Sequence, residues 1–504
     1  MKLLFFLLLC PLLSVSCQNQ KPELSGFPEG TAFTVSQKGK QLFEYRFREP
    51  VPISADLSLA IQYRTETPLG IRLVVNGADS WECSPADATQ IRYAVPIPSG
   101  TITTLTVSVD PAQAGTIEVQ SLSLVPQWYG FERNDSALSI TAFVQRERQG
   151  YSIDPPLPYR GTLSLSAASN AAPIVVEAGG TRFEASGTVY IPSGILPAQA
   201  FPVFIDGATS ARLVAQKISA MDPVKADPKI VLEYAQSMWR KSQYEVFSWE
   251  AFPSILIFDT ASYAVQDALL KRLAFFVEKA GFRGRLASDR EIAGLHGWNA
   301  HDYRADDLAR FFDQAMRTKF PLNDTEFELQ ALLLHNGIIR RSADGFEAGT
   351  GAIVSISRES SKNLRERFMA HEGFHGIFFI DEAFRAFSRE RFDSFSPVAK
   401  RFILSLFDYQ QYDITDEYLV VNEFMAYILQ QSVSQAGAYF GRTLAGQIAA
   451  HPWRYTVLPR RDSSGAYPEL TSSFQAEAEA FSAYVQEHYG LSAGAVSRLS
   501  ITQA

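Results

Sequence analysis

Apolar and polar positions alternate with a period of two from about residue 31 to 127. Ile71, Leu73 and Val75 alternate with other residues and run into Asn76-Gly77, a pair suited to the left-handed backbone of a hairpin turn. Leu105, Val107 and Val109 repeat the pattern, as do Ile117 and Val119, then Leu122 and Leu124. Successive side chains on a strand point to opposite faces, so each run presents one apolar face. Short strands of this kind, with turn residues between them, predict a β-sandwich over 31–127.

A second block covers 128–220. Asp154-Pro155-Pro156 interrupts it, Leu163 and Leu165 alternate, and Ile174-Val175-Val176-Glu177 meets Thr181, Arg182 and Phe183 across Gly179-Gly180. The pattern predicts a second, smaller β-rich domain, or the other half of one large sandwich. After Met221 the period changes. Ile255 to Phe258 is a short apolar strand, with Asp259-Thr260 placed to cap the helix that follows. Val265, Leu269, Leu273, Phe276 and Val277 recur at helical spacing, with Gly281 beyond them. Leu308, Phe311, Phe312 and Ala315 do the same, and so do Leu329, Leu332 and Leu333. The fold class is therefore multidomain. N-terminal β-sandwich domains precede a mainly helical α+β domain over 221–504.

Within that domain, 362–387 reads as one helix carrying the stretch RFMAHEGFHGIFF. Residues four apart on a helix differ by only about 40° in direction. His371 and His375 thus project from adjacent turns of one face and can share one tetrahedral Zn²⁺. Glu372 stands beside that position, where a general base takes a proton from an activated water. A catalytic zinc takes three protein ligands. Glu423 is the candidate third, a carboxylate in the otherwise apolar helix that starts near Thr415. Burial without a partner would be costly there, and ligation removes the cost. Asn422 and Asp381 are candidates to hold the imidazoles from behind. Tyr427, Tyr439, His451 and Tyr455 are candidates for the oxyanion and proton donor, with no ground for choosing among them.

Composition narrows the setting. The net charge of −8 speaks against a nucleic-acid partner. The first residues, MKLLFFLLLCPLLSVSC, combine a lysine, a short apolar run and small residues up to Cys17. That is the layout of an export signal, too short to span a membrane comfortably. It resembles a bacterial lipoprotein signal with Ser14-Val15-Ser16-Cys17 as lipobox, although Ser14 stands where an apolar residue is usual. The resemblance implies that Cys17 is lipidated and anchors the chain in the bacterial cell envelope. Gln18, in place of an aspartate, favours the outer membrane. A plain secretory signal is the alternative. Residues 18–30 read as a tether. Cys83 is then the one remaining cysteine, a strand residue acting as a small hydrophobe, so no internal disulfide forms.

The pairing of His371-Glu372-Gly373-Phe374-His375 with Asn422-Glu423-Phe424-Met425-Ala426 resembles the gluzincin zinc metallopeptidases. Their pattern is HExxH followed by a glutamate ligand on a later helix, and NExxA is the form found in gluzincin aminopeptidases. The likeness covers roughly 361–431. It implies a zincin-like domain with one zinc per chain, held by His371, His375 and Glu423, with Glu372 as general base toward a peptide or protein substrate. The gap between His375 and Glu423 is longer than in the aminopeptidases. The strand ahead of the helix, 349–357, lacks their acid-bearing motif but is open to pairing with an extended peptide. The N-terminal region resembles jelly-roll modules of secreted bacterial enzymes in layout only. It is a candidate for binding a glycan or a protein.

Two competing readings accompany this one. In the first, a binding or adhesion lipoprotein works through its β-domains and keeps a structural or vestigial zinc. In the second, a zinc amidase acts on cell-wall peptides. The segment from His296 to Tyr303 could line a cleft or take a second metal, but reads more naturally as a packed loop.

Overall fold

The computed structural model describes residues 21–503, apart from residues 40, 280, 298, 453–457 and a series of short segments between 55 and 220. Cys17 and Tyr455 lie outside the described residues. The architecture is N-terminal all-β sheets followed by a mainly helical region with a mixed sheet, a multidomain α+β chain. Among the described residues no helix is long and apolar enough to cross a membrane.

Contacts divide the chain into two compact units. The first holds the residues up to Gly130 together with Ser139–Ile153 and Pro202–Ile205. It contains two sheets. In one, Phe33–Lys38, Leu42–Ile53, Gly100–Val109, Ile71–Val75 and Asp79–Cys83 lie side by side in that order. In the other, Ile117–Pro126, Leu57–Thr65 and Gln90–Pro96 are neighbours. Tyr45, Leu73 and Leu105 from the first sheet share one core with Leu59, Ile61, Tyr63 and Leu122 from the second. This is the sandwich that the alternation predicts. Asn76 and Gly77 turn its hairpin with φ of 52° and 72°, and Asn76 Oδ1 accepts from the Thr103 N–H at 2.8 Å. Cys83 ends a strand, paired with Ile71.

The second unit holds Phe131–Leu138, Asp154–Phe201 and everything from Asp206 onward. Ile174–Ala178 and Thr181–Ala185 form the hairpin expected across Gly180. An additional strand was not expected. Leu499–Gln503 lies antiparallel to Thr181–Ala185, with Phe183 opposite Ile501.

The helical region is built on a five-stranded sheet, ordered Val224–Ala226, Tyr244–Trp249, Phe252–Thr260, Ala352–Ser357, His301–Arg304. Phe252–Thr260 and Ala352–Ser357 run parallel, and His301–Arg304 is antiparallel at the edge. Ala352–Ser357 is therefore interior, bonded on both sides and buried throughout. It cannot take an added peptide strand, which corrects the expectation for 349–357. Asp259 does not cap a helix either. Ser262 caps Tyr263–Val277, while Asp259 is fully buried between Arg358 and Arg365.

The histidine helix is Lys362–Ile380, shorter than expected. Asp381 adopts an extended conformation and accepts from the Phe384 N–H at 3.0 Å, starting a separate helix, Glu382–Ser394. Two glycines let the histidine helix pack closely. A Cβ on Gly376 would come within 3.0 Å of Ile255, and one on Gly373 within 3.1 Å of Val496.

Candidate metal centre

Four side chains converge from two helices. His371, Glu372 and His375 come from Lys362–Ile380, and Glu423 comes from Glu417–Leu429, which Asp416 caps. His375 is completely buried, Glu372 and Glu423 nearly so. The two imidazoles are perpendicular and meet with Nε2 atoms 3.1 Å apart. Glu423 Oε2 lies 3.6 Å from His371 Nε2, and its Oε1 lies 3.7 Å from His375 Nε2.

These distances link the two ring nitrogens to each other and each of them to one oxygen of the Glu423 carboxylate. Ligands about 2.05 Å from a tetrahedral Zn²⁺ are about 3.3 Å apart, the edge of the tetrahedron. The observed spacings bracket that value. Glu423 Oε2 is buried with no hydrogen-bond partner, as is His375 Nδ1. Two nitrogens and one oxygen form a donor set for a divalent transition metal. The residues fit the ion that the sequence implies.

Burial controls the charges. It pushes the His371 ring down to about 4, against the opposing influence of Asp302, Gln430 and the Ala426 carbonyl. A neutral imidazole is the ligating form. Burial first, then Asp302, Glu423 and Glu278, raise Glu372 well above the carboxylate range. Glu423 is pushed up to about 7, chiefly by burial, with His375 and a hydrogen bond from Tyr412 opposing.

The remaining candidates separate. Asn422 is buried, lines a cavity beside Glu423, and its Oδ1 has no partner. Asp381 faces away, with Oδ2 accepting from the Tyr489 hydroxyl at 2.8 Å. Tyr427 stands edge-on to His371 at 5.1 Å between ring centroids, with its hydroxyl donating to Gln410. The Tyr439 hydroxyl accepts from Gln430 at 3.2 Å, and the His451 ring packs on Tyr409. Among the described candidate donors, Tyr427 is the one in ring contact with a metal-site histidine.

Tyr412 was not expected here, and Asp302 only as part of the His296–Tyr303 segment that could line a cleft or take a second metal. Asp302 Oδ2 lies 3.8 Å from His375 Nδ1, and Asp302, Glu372 and His375 form a second close group. Tyr412 hydrogen-bonds Glu423 from the loop before its helix. Neither could be singled out individually from the sequence. The strand His301–Arg304 is too short for a visible alternation, and Tyr412 lies between elements. A small cavity lined by Asp302, Arg304, Phe379, Tyr418, Asn422 and Glu423, among others, borders the candidate carboxylate ligand.

The raised carboxyl groups have a consequence for stability. Burial also lifts Glu250 to about 7 and Asp227 to about 6. A folded-state pKa above the unfolded value adds stability that is present at low pH and is lost as pH rises through the folded value. His301 and His371, held at about 3 and about 4, act in the opposite sense, but only below their unfolded pKa of about 6.5. Metal-free protein is therefore expected to lose stability from about pH 6.5 to about pH 8, where the raised carboxyl groups outweigh the lowered histidines. Melting temperatures in chelator measure this. A rise over that interval would contradict it.

No family model matches the chain, and no curated protein matches it. Six chains of known structure do. One is a glycosyl hydrolase family 2 member from Bacteroides cellulosilyticus DSM 14838, at 10% identity. The match covers 35% of this chain and 28% of that one, with a TM-score of 0.14, and carries no argument about fold or function.

Proposed function

We propose that this protein is a zinc-dependent metallopeptidase. The observation that supports it most is the buried His371, His375 and Glu423 group, with ligand atoms all within 4.8 Å of one another and Glu372 next to it on the same helix. A zinc ion held there would supply Lewis acidity toward a carbonyl oxygen and make water a nucleophile near neutral pH.

The chain's own residues supply the rest. Glu372 is the group to accept a proton from the attacking water and return it to the leaving nitrogen. Its high proton affinity without metal is a product of burial and neighbouring acids, and a nearby dication reverses it. The buried surroundings strengthen every polar interaction with a developing oxyanion. Tyr427 is the described candidate donor to it.

A structural zinc site normally closes with four protein ligands. Here three gather, and a cavity borders the third. That favours an enzyme over a binding protein with a vestigial metal. In this reading Cys17 carries lipid, the chain sits in the bacterial envelope, with the outer membrane favoured, and the β-rich regions act as a spacer or bind a glycan or protein.

Zinc content of the full-length protein and of His375→Ala tests the site. One equivalent in the parent and little in the variant is expected. No zinc in either, after reconstitution at neutral pH, would reduce HExxH to two packed histidines. Digestion of unstructured protein beside muropeptides then separates general proteolysis from cell-wall amidase activity.

A further inference from the structure

Asp302 lies on the edge strand, about sixty residues ahead of the histidine helix in sequence. Its placement follows from register. His301 pairs with Ser355, and Asp302 with Val354. Side chains of paired residues share a face. Ser355 accepts from Gln266 Nε2 on Tyr263–Val277, whereas Val354 lies under Gly376 of the histidine helix. The alternation therefore sends His301 and Tyr303 to one side and Asp302 toward His375. Tyr303 packs with Leu269 and Leu308, and shares a 2.8 Å hydrogen bond with His301 Nδ1.

Ligation through Nε2 leaves the proton of His375 on Nδ1, buried and without an acceptor. The carboxylate facing it is Asp302 at 3.8 Å, a small side-chain rotation short of a hydrogen bond. Asp302 also faces the carboxyl of Glu372. We propose that Asp302 is the positioning residue of the centre, holding His375 by Nδ1 and setting Glu372 beside it. The inference rests on the metal-site reading above. The same three residues could instead hold a second ion. That arrangement would load both nitrogens of His375 and take Glu372 out of proton transfer, so the positioning role is the better fit to a single centre.

The test is zinc affinity by chelator competition on the full-length protein, its Asp302→Ala and Asp302→Asn variants, and the visible spectrum of each with Co²⁺. Asp302→Ala is expected to weaken zinc by about 10–100-fold and shift the cobalt spectrum. Asp302→Asn keeps an acceptor oxygen and is expected to recover most of the affinity. Removing one acid from a group that includes Glu372 and Glu423 relieves repulsion, so the metal-free melting temperature should not fall. Unchanged affinity and spectrum in Asp302→Ala would overturn the inference, as would two equivalents in the parent with one lost in the variant. A parent that binds no metal would instead overturn the reading on which the inference rests.

Discussion

Glu372→Gln is expected to bind zinc as the parent does and to lose about 10²–10⁴-fold in hydrolysis. The amide has the shape of the acid but cannot take a proton from water. None of the three ligand side chains is altered, because His371, His375 and Glu423 meet without Glu372. Burial sharpens the contrast. Glu372 is only 5% exposed, so bulk solvent cannot easily replace it as the proton acceptor. Metal content and cleavage of an unstructured protein, measured on the same preparation, check this. A variant with full metal and parental activity would sink the assignment of Glu372, though not that of the ligands.

Asp259→Ala is expected to cost about 3–5 kcal/mol of stability, the usual result of stripping one partner from a buried ion pair. Asp259 is fully buried at the end of Phe252–Thr260. Arg365 reaches it from the histidine helix with two hydrogen bonds, of 2.7 and 3.0 Å. Arg358 adds another at 2.7 Å. Without the carboxylate, two guanidinium groups face each other, one almost wholly out of water. Denaturant unfolding followed by helical circular dichroism measures the loss. A change below about 1 kcal/mol, the scale of an exposed pair, would show that water reaches the site.

Much of the centre could be read from residue order because helical spacing is a local property. His371 and His375 need only the pitch of one helix to face the same way. Glu423 was found by its chemistry, a lone acid among Val420, Val421, Phe424 and Met425. The hairpins at Asn76-Gly77 and at Gly180 were legible for the same local reason. What was hidden depends on tertiary partners. Asp381 looked like one more helical position until its side chain capped Phe384. Asp259 looked like a cap because its two arginines lie a hundred residues downstream or thereabouts. Asp302 reaches His375 only through the register of a four-residue strand.

Val496 fills the space that a side chain at position 373 would need, between His371 and His375 themselves. A few residues later, Leu499–Gln503 is bonded to Thr181–Ala185. The face of the histidine helix is thus completed by chain that is synthesised long after it. Until that segment arrives, the side of the helix at Gly373 lacks the Val496 contact. Such distant closures are slow because loop entropy must be overcome before contacts repay it. If the centre is the hydrolytic one proposed above, its completion late in the life of the chain would delay the moment at which the protein could attack its neighbours or itself.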